Sequence, residues 1–360
     1  MKRSTLLELL TNSRATCFRR CQREHQYRYI DGIVPLREGD ALRFGTLMHH
    51  ALEAWWNAVK AGLSPEERLR AALSAIDAKR TPETDEYDLA RAKALMVGYD
   101  ARWGAECYEV IAVEAEFRAP LVNPETGAES RTYQLAGKLD VLARDERGRV
   151  LIIEHKTSGQ DISSGSTYWQ KLRLDSQVSM YFGGAAALGH QPEVCVYDVI
   201  GKPRLRPYEK NTKRAADETA DEFFRRLTSE IASAPDKYFQ RGEIVRLEGE
   251  LARHQREQWA QAHTMREARR LNVAPMNPDS CAKFGDSSLC GYFEACCGSA
   301  SLDDTTRFKR LESVNPELSS QQEEKFHVEA ESRPSSINGA GANGIISGNG
   351  GTSGGGEIRF

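Results

Sequence analysis

The 360-residue chain has no stretch approaching the apolar length of a membrane span, which excludes a spanning helix. It also lacks a strong charge of one sign, since 49 basic against 52 acidic residues leave a formal net of -3. A nucleic-acid partner must therefore be held by local basic patches, because a global field is missing. The opening segment, MKRSTLLELLTNSR, starts basic but has neither the apolar core nor the small-residue cleavage site of a secretion signal. A cytoplasmic location is the expectation. In that setting the eight cysteines read as reduced thiols or metal ligands, not as a disulfide scaffold. No GxxxxGK[ST] loop is present, so any helicase motor has to come from a partner chain. There is no internal repeat.

What the sequence does have is centred on Leu135 to Ser158, LAGKLDVLARDERGRVLIIEHKTS. Two apolar runs flank Asp145-Glu146-Arg147-Gly148, which reads as two paired strands joined by a turn. Asp140 stands near the end of the first run, and Glu154 and Lys156 stand at the end of the second. Alternate side chains of a strand share a face, so Glu154 and Lys156 point the same way and His155 points away. Charges of this kind are ordinary on solvated hairpins. Here they end the buried-type run Val150-Leu151-Ile152-Ile153 abruptly. Two carboxylates and an ammonium at the ends of neighbouring strands can hold a hard divalent cation beside a water, which is equipment for phosphodiester hydrolysis.

Helices precede this hairpin. Ser13 is a candidate cap for a short helix through Cys21, followed by the basic-aromatic segment Arg23 to Tyr29 and a break at Asp31-Gly32. Leu47 to Lys60 reads as a helix after Gly45-Thr46, with Ala51, Ala54, Trp55 and Ala58 as its apolar stripe. His49, Glu53 and Trp56 fall on another face. Helices are expected to open at Ser64-Pro65 and over Asp88 to Ala101. A strand is expected over Glu109 to Leu121 and a turn over Asn123 to Gly127. Ser176 to Leu188 reads as a helix that sets Gln177 and Tyr181 one turn apart, and Val194 to Ile200 as a short strand. Ala215 to Ala232 and Gly249 to Arg270 read as long charged helices. The pattern implies an α/β fold with a small mixed sheet flanked by helices. Residues 331–360, rich in Gly, Ser and Asn, carry too few apolar groups to offset ordering entropy and read as a disordered tail.

Gly45-Thr46-Leu47-Met48-His49, Gly137-x-x-Asp140, Glu154-x-Lys156 and Gln177-x-x-x-Tyr181 occur in that order. Together they resemble the RecB-type branch of the PD-(D/E)xK nuclease superfamily, over about Ser13 to Cys296. The spelling Ile-Glu-His-Lys-Thr-Ser and the cysteine-rich end are most similar to stand-alone bacterial and phage members. The resemblance implies a restriction-endonuclease-like sheet core and a nuclease domain over 1–300, with an extension over 301–330. It implies that His49, Asp140 and Glu154, with the carbonyl of His155, bind Mg²⁺ or Mn²⁺. Oxygen ligands suit both ions, and an imidazole tips the balance towards Mn²⁺. Lys156 would orient the attacking water and offset transition-state charge. Gln177 and Tyr181 would hold the DNA backbone or the carboxylates. The ring of His155 is expected to pack or to lie at the surface rather than to ligate.

Cys21 together with Cys281, Cys290 and Cys296, spaced C-x8-C-x5-C, resembles the iron-sulfur subset of these nucleases. That subset includes the AddB subunits and the CRISPR-adaptation nucleases, in which a 4Fe-4S cluster clips the termini together. The first C-terminal gap here is wider than their C-x2-C. Four thiolates can equally hold zinc, with Cys17 or Cys297 as substitutes. Cys107 and Cys195 read as core residues in apolar strand surroundings. Either metal closes a loop of roughly 260 residues and removes unfolded-chain entropy. Lys202 to Arg214 is a candidate DNA track, with Lys171, Arg173 and the aromatic pair Tyr168-Trp169 beside it. The expected function is a metal-dependent deoxyribonuclease, a single-stranded DNA exonuclease of recombination, repair or phage DNA metabolism. Its alternatives are a CRISPR-adaptation-type end-trimming nuclease and a non-catalytic DNA-end-binding subunit.

Overall fold

The computed structural model of the chain describes residues 7–318, apart from residues 38, 82–83, 211, 213–215 and 284–287. Lys213, Arg214 and the Gly/Ser-rich tail therefore lie outside the described residues. The chain enters through β1 (Glu8–Leu10), α1 (Asn12–Arg20), α2 (Gln22–His25), a π-helical turn over Gln26–Ile30 and β2 (Ile33–Pro35). Thr11, not Ser13, caps α1, because the Thr11 hydroxyl accepts from the Arg14 N–H at 3.1 Å. Gly32 ends this segment with φ 67°, a left-handed turn that suits a residue without Cβ.

Three helices follow, α3 (Asp40–Lys60), α4 (Pro65–Asp77) and α5 (Glu86–Trp103). The first starts seven residues before the sequence expectation, so Gly45-Thr46 lie inside it. Its apolar positions outweigh the helix penalty of one glycine. α4 opens at Ser64-Pro65 as expected, and Ser64 and Glu67 close a capping box over it. Trp56 is fully buried, so it belongs to the core and not to a separate face with His49.

The sheet strands are β3 (Glu109–Val122), β4 (Glu129–Arg144) and β5 (Val150–Ser158), then β6 (Val194–Gly201) and β7 (Phe239–Ile244). Between β5 and β6 run α6 (Thr167–Leu172) and α7 (Ser176–Ala187). Then come α8 (Ala220–Ser233), which starts five residues later than expected because Thr219 is its cap, and α9 (Glu248–Leu271). The strand order is β1-β4-β5-β6-β7, with β3 pairing the other edge of β4. The β1–β4 and β5–β6 pairs are parallel and the rest antiparallel, so the sheet is mixed. One face packs Met48, Leu52, Trp55, Leu95 and Tyr99 against Leu151 and Ile153. The other packs Val178, Tyr181 and Phe117 against Ile152 and Cys195. Phe117 sits where a Cβ on Gly137 or Gly184 would meet it at 2.7 and 2.5 Å, so these glycines let α7 lie close on β3 and β4.

Besides β7 and the short strands near the C-terminal end of the described residues, two strands at the chain's entry have no counterpart in the sequence reading. β1 is three residues long and pairs Glu8 to Leu10 with Tyr133 to Leu135. β2 pairs with β10 (Phe308–Arg310), after β8 (Ala282–Lys283), β9 (Ser288–Leu289) and α10 (Phe293–Cys296). Both are too short to show alternation, and their partners lie far away in sequence. Among the described residues no helix is long and apolar enough to cross a membrane.

Candidate metal-dependent nuclease site

The pairing of β4 with β5 runs from Arg144↔Val150 to Val141↔Ile153 and then stops. At that point the Asp140 carboxylate enters between the strands, and its Oδ2 accepts the His155 N–H at 2.8 Å. A side chain thus takes the place of the next ladder bond, and the two strands part where the charges begin. Glu154, only 1% exposed, pairs through Oε1 with the Lys156 ammonium, while its Oε2 has no hydrogen-bond partner. From α3, the His49 Nδ1 comes within 3.7 Å of Asp140 Oδ1.

Electrostatics follow from this crowding. Burial, and then the neighbouring Asp140 charge, push the Glu154 carboxyl up to about 8, against the pull of Lys156. Burial also works against ionised Asp140, but His49, His155, Lys156 and the His155 N–H hold it below the usual carboxylate range. Burial lowers His49, which favours the neutral imidazole that a metal needs. Burial opposes the Lys156 charge, yet Glu154, Tyr181 and Asp140 raise its pKa above the ordinary value. The Gln177 amide donates to the Tyr181 hydroxyl at 2.6 Å, and Asp175 caps this turn of α7 by accepting from the Gln177 N–H at 2.7 Å.

One residue was missed from the sequence. Glu114 on β3 belongs with His49 and Asp140, all three offering ligand atoms within 4.8 Å of one another. Its only sequence signal is a Glu within the strand expected over Glu109 to Leu121, which says nothing about partners on the neighbouring strand and on α3. The ring of His155 is buried on the opposite side of β5, between Trp56 and Tyr99, with Nδ1 3.3 Å from Asp198. His155 can therefore offer the site its backbone only.

The donor set fits a divalent cation: carboxylate oxygens, an imidazole, and a buried carboxylate oxygen with no protein partner. An α/β sheet with such a set where two strands part defines a candidate metal-dependent hydrolase. A family model for the PD-(D/E)XK nuclease superfamily matches residues 10–297. The chain belongs to the PD-(D/E)XK nuclease superfamily, a family of metal-dependent nucleases. No curated protein matches the chain. The crystal structure of SSO0001 aligns at 17% identity over 52% of this chain and 73% of its own, with a TM-score of 0.21. A superposition that loose carries no argument.

The cysteines fall into distinct groups. Cys296 has Cys290, Cys21 and Cys281 as electrostatic neighbours, which with burial raise its thiol pKa. Around them the Arg20 carbonyl accepts from Asn277 and Ser280, both at 2.8 Å, and the Arg23 guanidinium donates to the Ala274 carbonyl at 2.8 Å. Cys17 is buried, and its thiol is pushed up to about 12 by burial and Glu24, which disfavours the thiolate a metal needs. Cys195 is a core residue as expected, but Cys107 is exposed in the connection before β3, because the strand begins two residues later. None of the eight is in a disulfide.

Lys171, Arg173, Arg204, Arg206 and Lys210 are exposed. Trp169 is not available for stacking: its ring covers Gly242 and its Nε1 donates to the Ile162 carbonyl at 2.7 Å.

Proposed function

We propose that the protein is a Mg²⁺- or Mn²⁺-dependent DNA exonuclease acting on single-stranded ends. The observation that carries the hydrolytic part is Glu154 Oε2, a buried acceptor without a partner beside Asp140 and Lys156. Leaving such an oxygen unpaired costs about 1–3 kcal/mol or more, a cost that a cation offsets. His49, Asp140, Glu154 and the His155 carbonyl are the proposed ligands. When bound, the cation supplies Lewis-acid polarisation of a phosphoryl oxygen and a more acidic water. Lys156 positions that water and balances charge on the phosphorane-like transition state. Gln177 and Tyr181 position Lys156 and Glu154 from α7. A purely DNA-binding subunit of a recombination complex needs no buried carboxylates, which favours the enzyme. A role in recombination, repair, phage DNA metabolism or CRISPR-type end trimming rests on the motif resemblance. The exposed Arg204, Arg206 and Lys210 supply the proposed phosphate track.

Digesting 5′- and 3′-labelled single- and double-stranded DNA with Mg²⁺, Mn²⁺ or EDTA tests this reading. Metal-dependent release of nucleotides from single-stranded ends is expected, and cleavage that persists in EDTA overturns it.

Cys21, Cys281, Cys290 and Cys296 are the proposed ligands of a 4Fe-4S cluster. Zinc would hold four sulfurs roughly 3.8 Å apart, given Zn–S bonds of about 2.3 Å. Among the described residues the one trio of ligand atoms within 4.8 Å is His49, Glu114 and Asp140, so these thiols are spread more widely. Anaerobic protein should be brown, and Ser at any of the four positions should bleach it while Cys107→Ser and Cys195→Ser do not. Colourless protein with stoichiometric zinc would replace the cluster by zinc.

A further inference from the structure

Glu114 has no task in the reading above, yet its backbone is the most unusual in the sheet. With φ 51° it is one of two described non-glycine residues in the left-handed region, the other being Asn272 beyond a helix end. A non-glycine residue inside a strand avoids that region, because its Cβ crowds the backbone. The pairs Val113↔Val141 and Ala115↔Leu139 bracket Glu114 opposite Asp140, and the twist falls at that level. Carrying the β4–β5 register one residue past Val141↔Ile153 sets Glu154 on the other side of Asp140. Three carboxylates thus lie in one row across β3, β4 and β5.

Lys138 pairs with Glu114. A cross-strand ion pair alone does not explain the geometry. The residue directly opposite Lys138 is Glu116, on the same strand with no left-handed backbone. The Lys138 ammonium reaches diagonally instead, towards the row of carboxylates. Outliers of this kind persist where the surroundings over-determine them, and they gather at functional sites. Across Asp140, Glu154 Oε2 is a second, independent observation in this row, a buried carboxylate oxygen with no hydrogen-bond partner that a cation can take.

We propose that Glu114 is a further side-chain ligand for the divalent cation, facing Asp140 and His49, and that Lys138 is the counter-charge it exchanges when the cation arrives. The inference rests on the nuclease reading of this site. Lys138 stays protonated and moves aside, so no bond is made or broken beyond metal coordination. A neutral amide at position 114 offers the cation an oxygen without the charge, whereas loss of the competing ammonium favours the cation.

The test is Mn²⁺ binding to the full chain without DNA, followed by the electron paramagnetic resonance of free Mn²⁺ alongside melting in EDTA. Glu114→Gln should weaken Mn²⁺ binding about tenfold or more with an EDTA melting point near wild type. Lys138→Met should strengthen binding several-fold and lower the EDTA melting point. Binding by Glu114→Gln within twofold of wild type overturns the inference, and so does unchanged affinity in Lys138→Met should the first variant not fold. Asp140→Asn and Glu154→Gln separate the two readings. If they lose Mn²⁺ while Glu114→Gln keeps it, only the role of Glu114 fails. If all three keep it, the metal site itself is misassigned.

Discussion

The two sides of β5 answer the same problem, buried charge, in opposite ways. On one side Glu154 pairs with Lys156, Glu114 pairs with Lys138 beside Asp140 and His49, and the Glu154 Oε2 oxygen is unpartnered. On the other side His155 meets Asp198, which is fully buried and matched by Arg241. Asp198 Oδ2 accepts from the Tyr99 hydroxyl at 2.7 Å and the Arg241 guanidinium at 3.0 Å. Burial opposes ionised Asp198, yet Arg241 and His155 hold it well below the usual carboxylate range. The front holds its three carboxylates buried or half-buried, whereas the rear's second carboxylate, Glu106 on Arg241, reaches solvent and leaves Asp198 and Arg241 as a buried pair. The lesson is that a balanced buried pair supports the fold, whereas an unbalanced one is chemistry waiting for an ion. The His155 backbone joins the two, since its N–H holds Asp140 while its ring is fixed from behind.

The largest expected effect breaks the front. Asp140→Ala, Glu154→Ala and Lys156→Ala should each cut hydrolysis by about 10²–10³-fold or more, with DNA binding retained, as single-turnover cleavage and gel shifts will show. Wild-type cleavage by folded Glu154→Ala would falsify the nuclease reading. Next comes the rear. Asp198→Asn takes away the buried partner of Arg241, leaving it only the more exposed Glu106, and should cost about 3–5 kcal/mol in a denaturant melt. Cleavage per folded molecule should stay within about tenfold. If Asp198→Asn melts normally but no longer cleaves, the division into a chemical front and a structural rear is wrong.

A titrating group away from both sides sharpens the contrast. Burial, and then Arg19 and Arg246, push His254 on α9 down to about 4, while Asp175 pulls weakly the other way. Its folded pKa lies below the unfolded value, so its contribution is complete above about 6.5 and is lost as pH falls. Between pH 7 and pH 5 that loss is about 2 kcal/mol. His254→Gln should flatten the acid limb of a stability profile by about that amount and leave cleavage per folded molecule unchanged. The smallest effect belongs to His49. His49→Ala should raise the Mn²⁺ requirement about fivefold, ~1 kcal/mol, without moving the melting point in EDTA. Lost stability with an unchanged metal requirement would make His49 a packing residue.

The hairpin of β4 and β5, the helix of Gln177 and Tyr181, and the alternation that turns His155 away were legible in the sequence, because period and turn chemistry are local. Asp145-Glu146-Arg147-Gly148 is such a turn: Asp145 accepts from the Arg147 and Arg149 N–H groups at 3.0 and 2.9 Å. Gly45 marks a boundary by local chemistry, but packing of the whole of α3 overrides one weak residue and the helix starts at Asp40. Trp169 stands beside the candidate DNA track in the sequence, but its ring packs over Gly242, a partner that nothing near it in sequence announces.

By itself the sequence determined which residues carry charge at the end of β5 and which side each takes, since alternation is a property of the strand alone. Only the tertiary structure decided that Glu114 joins His49 and Asp140, and that Asp198 and Arg241 stand behind His155. Those contacts span long separations along the chain. Burial then sets the strength of each charge, and burial is a property of the packed whole.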